Sequence, residues 1–207
     1  VLNYLSLLGW SHPEEKEVLS RDELVASIGL DRIGRSDTQV DPEKLSWVSA
    51  QHLAAESLTS LTEHVLPFID VERFPHAANG GEAMIDALRT RLSTYGDVNE
   101  HLPVLFPDDG AAAANRAAVA ADPQACAMLE AVAGRLETEE PWHADGLGAA
   151  VREAGKESGA RGAALFHPLR TALIGSEKGP DLGKILAAIG RREALRRIRL
   201  TLEGGEV

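Results

Sequence analysis

The side chains in this chain best suited to chemistry are its arginines. Between Leu182 and Leu202 stand Lys184, Arg191, Arg192, Arg196, Arg197 and Arg199, against a single acid, Glu193. Such a run can grip a folded polyanion through planar, five-donor guanidinium forks. It can equally form a solvated helix face, and composition leaves both readings open. The other 15 basic residues are spread among acids elsewhere in the chain. The other reactive types fall into no working pattern. The 7 histidines are scattered without HxxxH or HExxH spacing, so His52 and His64 read as polar core or surface groups rather than metal ligands. Cys126 is the sole cysteine, which excludes an internal disulfide and a cysteine-cluster zinc site. It lies in an apolar helical stretch away from any His or Lys, the setting of a small hydrophobe rather than a nucleophile. Glu139-Glu140 could form an acid/base pair, but Pro141-Trp142 and Asp145 behind it read as a helix start. Gly146-Leu147-Gly148 sits inside a helical pattern and lacks the further glycine of a phosphate loop. No catalytic residue and no metal site is expected.

These arginines must be carried by a scaffold. The chain has 207 residues, enough for a sizeable core, and a formal net charge of -11. That acidity argues against a non-specific DNA coat, so no DNA partner is expected. No run approaches the ~20 apolar residues of a membrane span, and no leader pattern points to secretion. Aromatics make up only 4 %, whereas Ala and Leu are abundant and β-branched runs scarce, which favours helices over a sandwich or barrel.

The periodicity is helical almost throughout. Leu2, Leu5 and Leu8 predict a short apolar helix ended at Gly9. Ser20 and Glu23 have capping-box spacing. Asp41-Pro42 supplies an N-cap and a first-turn proline, and Leu45, Val48, His52 and Leu53 follow on one face. Leu58, Leu61, Val65 and Leu66 mark a helix stopped by Pro67. His76 to Gly81 reads as the clearest flexible joint, and Met84, Leu88, Leu92 and Tyr95 as the next stripe. A break follows at Phe106 to Gly110, then an alanine-rich helix around Asn115 and Arg116. Met128, Leu129, Val132 and Leu136 share a face, as do Leu147, Val151 and Ala154. Pro168 is expected to open a helix running to Gly175. Leu182, Ile185, Leu186 and Ile189 repeat at helical spacing. A last helix sets Leu195, Ile198 and Leu202 against Arg192, Arg196 and Arg199. Trp47 and Trp142 are expected in the core. The fold class is all-α, with breaks near residues 55, 80 and 107.

Several segments together resemble a known family. Val1-Leu2-Asn3-Tyr4-Leu5-Ser6-Leu7-Leu8-Gly9-Trp10-Ser11 is similar to the LNYLALLGWS segment of bacterial glutamyl-tRNA synthetases. Asp41-Pro42-Glu43-Lys44-Leu45-Ser46-Trp47 resembles that family's FDxxKLxW, and Phe166-His167-Pro168-Leu169-Arg170-Thr171-Ala172-Leu173-Ile174-Gly175 its PLRxALTG. Gly179-Pro180-Asp181-Leu182 and Ile185 to Arg197 resemble GPxLxxILxLLGKERALRRL. Order and spacing hold over nearly the whole chain. Val40 departs from the usual Phe, Ser49-Ala50 from Asn-Gly and Leu53 from Ile, and residues 70 to 165 match mainly in pattern.

The resemblance implies stem-contact helices over 1–55, followed by two helical anticodon-binding bundles over 56–106 and 107–207. It implies a cytoplasmic, monomeric tRNA-recognition half of a class I ligase, with tRNA(Glu) as partner and no membrane. The HIGH-type and KMSKS-type signatures that handle ATP are absent; Lys44-Leu45-Ser46-Trp47 lacks the second lysine and belongs to a helix start. The chain is therefore expected to use no cofactor and to be inactive alone, ATP belonging to the catalytic part of a parent enzyme. A start at Val1 favours a fragment over a free-standing paralogue with a binding or regulatory role. By position, Arg170 matches the arginine that reads the first anticodon base. Arg91 matches the one that reads the third, and an arginine there belongs to enzymes that reject glutamine tRNA. Arg89, Lys184, Arg192 and Arg196 are expected at tRNA phosphates, as positioning contacts without sequence content.

Overall fold

The computed structural model describes residues 1–34 and 38–204, and among them the elements are helices and short 3-10 turns, with no strand. The N-terminal part holds α1 (Leu2–Gly9), α2 (Arg21–Ser27) and α3 (Pro42–Ala55). Next come α4 (Leu58–Val65), α5 (Gly81–Leu88) and α6 (Val98–His101), and then α7 (Asp109–Ala120), α8 (Pro123–Thr138), α9 (Ala144–Glu157), α10 (Ala163–Ile174), α11 (Leu182–Ile189) and α12 (Arg191–Leu202).

The predicted caps form as spaced. The Ser20 hydroxyl accepts from the Glu23 amide at 3.2 Å while the Glu23 carboxylate accepts from the Ser20 amide at 2.8 Å. Asp41 accepts from the Glu43 and Lys44 amides at 2.9 and 3.1 Å, with Pro42 at the first helical position. Each such cap is worth about 1 kcal/mol, because it satisfies amides that the helix itself leaves unpaired.

One apolar cluster runs from Leu53 to Ile198. α11 lies between α5 and α9, with Ile185 and Leu186 fully buried; α8 backs α9, and α12 packs on α8 and α10. A separate small cluster of Trp10, Leu19 and Leu24 holds the N-terminal part.

Four local expectations are corrected. In α1 it is Asn3 and Tyr4 that are buried, whereas Leu2 and Leu5 are 58 % and 54 % exposed. Hydrogen bonds set that rotation: the Tyr4 hydroxyl accepts from the Asp41 amide at 2.6 Å, and Asn3 Oδ1 accepts from the Leu19 amide at 3.0 Å. Trp47 is exposed, because α3 turns Val48 and Leu53 inward. The segment from His76 to Gly81 is not irregular: residues Pro75–Asn79 form a 3-10 turn, and Ala77 is fully buried. Pro168 lies inside α10, which starts at Ala163. The proline removes only the hydrogen bond to the Ala164 carbonyl, and exposed Ala164 sits where water can replace it. Arg170 is thereby placed in the second half of α10 rather than near its start.

Candidate nucleic-acid interface

Arg91 ends a 3-10 turn, Arg89–Arg91, which follows α5 directly. Buried Leu88 and Leu92 pin the turn from either side. Arg89 fixes it further: Nη2 donates to the carbonyls of Ala54 and Glu56 at 2.7 and 2.8 Å, satisfying the C-terminal end of α3, and Nη1 stands 3.9 Å from Asp86. The Arg89 guanidinium is thus engaged inside the protein. Arg91 is exposed and makes no hydrogen bond or ion pair with the described residues.

Facing Arg91 is the loop after α10. Gly175 ends the helix in the left-handed region at φ 70, which residues with a side chain rarely adopt, and its Cβ would stand 2.5 Å from that of Ala112. Asn115 Nδ2 donates to the Gly175 carbonyl at 2.8 Å. Arg170 is half-buried; Nη1 donates to the Glu177 carbonyl at 3.0 Å, and Nε is buried without a partner among the described residues. Between turn and loop is a cleft of about 400 Å³ lined by Arg91, Pro103, Val104, Ile174, Ser176 and Lys178. The structure therefore brings Arg91 to the loop that Arg170 holds.

The basic run on α12 is used differently. Arg197 is 4 % exposed and donates to the carbonyls of Leu105 and Leu173, each at 2.7 Å, and to Glu193 at 2.7 Å. Arg196 grips both oxygens of Glu193 at 2.8 Å and reaches Asp109 at 3.3 Å. Burial works to raise the Glu193 pKa, but the hydrogen bonds and charges of Arg196 and Arg197 outweigh it and hold the carboxyl down at about 2. Asp109 also binds fully buried Arg116 at 2.7 Å. Arg191 pairs with Glu140 at 2.7 Å and lies over the Trp142 ring, and Arg199 pairs with Glu137 at 2.7 Å. Lys184 bridges α11 to α5 through Asp86 at 2.9 Å. Arg192 is exposed and unpaired among the described residues. Of the residues expected at phosphates, Arg89, Lys184 and Arg196 are held by protein groups, and Arg192 is open to solvent.

The sequence profile of the family described as anticodon binding domain matches residues 60–202. The chain belongs to that family. It is similar to curated proteins named glutamate--tRNA ligase. One from Heliobacterium modesticaldum is 32 % identical over 210 residues, covering 98 % of this chain and 42 % of that protein. Glutamate--tRNA ligase 1 of Rubrobacter xylanophilus is 37 % identical over 209 residues, covering 98 % and 47 %. The chain thus spans less than half the length of these relatives, matching their C-terminal part. In fold it resembles the crystal structure of a glutamate tRNA ligase from Elizabethkingia meningosepticum in complex with its amino acid, with a TM-score of 0.74 at 20 % identity over 99 % of this chain and 41 % of that one. The all-α class expected from periodicity is the class observed.

Within this member of the anticodon binding domain family, sequence reading missed Arg197 as a structural residue. The signal was present: Ala194, Arg197, Ile198 and Thr201 share one helical stripe, and all are buried. It also missed Lys178, for which the sequence offers no cue; only the tertiary fold sets it across from Arg91. Cys126, read as a small buried hydrophobe, is half-buried, with Sγ 3.4 Å from the Ala120 carbonyl; Trp142, expected in the core, is half-buried as well, its indole donating to the Leu186 carbonyl at 3.1 Å while it packs on the edge of the main core.

Proposed function

We propose that this chain is the tRNA-recognition portion of a cytoplasmic glutamate--tRNA ligase, and that its Arg91 end binds the anticodon loop of tRNA(Glu). The observation that carries the reading is an exposed arginine, unpaired among the described residues, on a 3-10 turn beside a cleft, in a chain whose family is the anticodon binding domain. RNA sequence is read mainly at unstacked loop bases, through guanidinium or aromatic stacking and edge hydrogen bonds. Arg91 presents such a fork toward the third anticodon base, and Arg170, in the second half of α10, serves the first base. Arg192 contributes a phosphate contact, a term that is salt-dependent and blind to sequence. On this reading ATP use and glutamate activation belong to the ligase outside this chain, and the purified chain shows no glutamate-dependent pyrophosphate exchange.

The test is a binding matrix at one fixed salt: wild type, Arg91→Gln, Arg170→Ala and Arg192→Ala against tRNA(Glu) transcript and transcripts changed at the first or third anticodon base. Arg91→Gln should relax the penalty for a changed third base, Arg170→Ala that for a changed first base, and Arg192→Ala should lower all affinities by one factor. Equal losses for all variants on every transcript would reduce the arginines to an electrostatic surface.

A further inference from the structure

The cleft has a second cation that faces Arg91. Lys178 is exposed and its ammonium has no partner among the described residues. The neighbouring acid does not neutralise it, because the Glu177 carboxylate turns toward His167, 3.5 Å away. The loop carrying Lys178 is held at several points: by Asn115 on the Gly175 carbonyl, by Arg170 on the Glu177 carbonyl, and by the Ser176 hydroxyl, which accepts from the Lys178 amide at 3.2 Å. Gly179 lets the loop lie directly on α10, since a Cβ there would stand 2.5 Å from Ile174 Cδ1 and 3.4 Å from Arg170 Cδ. Between the cations the cleft wall is Pro103, Val104 and Ile174, apolar surface against which a flat ring can lie. Its volume of about 400 Å³ falls within the roughly 300–1,000 Å³ of small-ligand pockets.

We propose that Lys178 grips the phosphate of the nucleotide whose base the reading above assigns to Arg91, so that the cleft between them holds that nucleotide. The division of labour follows from side-chain chemistry: an ammonium is a compact point charge that suits a phosphate oxygen, whereas the planar guanidinium suits a base edge. Arg170 acts on this pocket as a positioning residue, through the Glu177 carbonyl that fixes the loop. The proposal rests on the tRNA reading given above.

Affinity and its salt dependence for the tRNA(Glu) transcript, for third-base variants and for an unrelated tRNA test it, using the full chain as wild type, Lys178→Ala, Lys178→Arg, Arg170→Ala and the double variant. Lys178→Ala should weaken binding about three- to tenfold whatever the third base. It should also lower the slope of log affinity against log salt by about 0.7, as for one phosphate on a single strand. Lys178→Arg should restore both. In the Arg170→Ala background the same Lys178 change should cost less, because the loop no longer presents the ammonium. Unchanged affinity and slope in Lys178→Ala, alongside a wild type that prefers tRNA(Glu), would overturn the pocket and leave the tRNA reading standing. A wild type with no preference for tRNA(Glu) would overturn both. Additive losses in the double variant would overturn the positioning role of Arg170.

Discussion

The α12 face and the Arg91 cleft are built from the same cationic chemistry and treat it in opposite ways. On α12 the density of arginine is high, yet Arg191, Arg196, Arg197 and Arg199 each meet a carboxylate of this same chain. At the cleft the density is low, yet Arg91 and Lys178 are left unpaired among the described residues. A guanidinium already satisfied by a carboxylate must break that contact before it can bind a phosphate, whereas an unpaired one loses only water. What marks an anion-binding surface is therefore the unspent cation rather than the local count of basic residues. The acidity of the chain fits this division, because its carboxylates neutralise the arginines that build the core.

That contrast can be broken most severely at Arg197. Arg197→Met keeps the aliphatic bulk but leaves the Leu105 and Leu173 carbonyls without their donor. Removing one partner of a buried pair costs about 3–5 kcal/mol. The thermal midpoint should fall by on the order of 10 °C for a chain of this size, with no change in which tRNA is preferred by the protein still folded. A variant that melts like wild type but loses tRNA would place Arg197 on the binding side instead.

Second in size is the pH dependence of Glu193. Its carboxyl is at about 2 in the folded protein against 4.5 ordinarily, so the stabilisation is present above pH 4.5 and is lost as the pH falls toward 2. With partial solvent screening it amounts to about 2 kcal/mol. Denaturant unfolding of wild type and Glu193→Gln should differ by that amount at pH 7, and the two curves should converge as the pH is lowered below 4.5. A gap that stays constant from pH 7 to 3 would mean that Glu193 does not anchor the α12 arginines.

Third is Arg91→Ala, which should cost about 1–3 kcal/mol of discrimination at the third anticodon base. The melting temperature should stay at the wild-type value, since the exposed side chain makes no hydrogen bond or ion pair with the described residues. A fall in stability without loss of discrimination would put Arg91 in the same class as Arg89.

The smallest effect compares two exposed arginines of α12. Arg192→Ala should lower the salt slope of tRNA binding by roughly 0.7–0.9, because Arg192 is unpaired among the described residues. Arg199→Ala should change it less, because Arg199 already meets Glu137 at a solvent-exposed pair worth about 0–1 kcal/mol. Equal slopes in the two variants would show that pairing within the chain does not decide which arginine is available.

By itself the sequence determined the local architecture. Ser20, Asp41 and the apolar spacing of Leu182, Ile185, Leu186 and Ile189 act within a few residues along the chain, through amide satisfaction and the 3.6-residue turn, and each forms the element its spacing predicts. The sequence also set which residues could bind an anion. Tertiary structure alone decided which of them remain free to do so. Leu2 and Leu5 face outward because Tyr4 and Asn3 find hydrogen-bond partners far along the chain, and Arg170 is carried into the second half of its helix by a start five residues ahead of its proline. Arg197 is consumed by carbonyls from two separate turns, and Lys178 shares a cleft with Arg91 only because the fold sets the loop after α10 beside the turn after α5. Pairing and juxtaposition depend on distances between groups remote in sequence, and one-dimensional spacing carries no record of them.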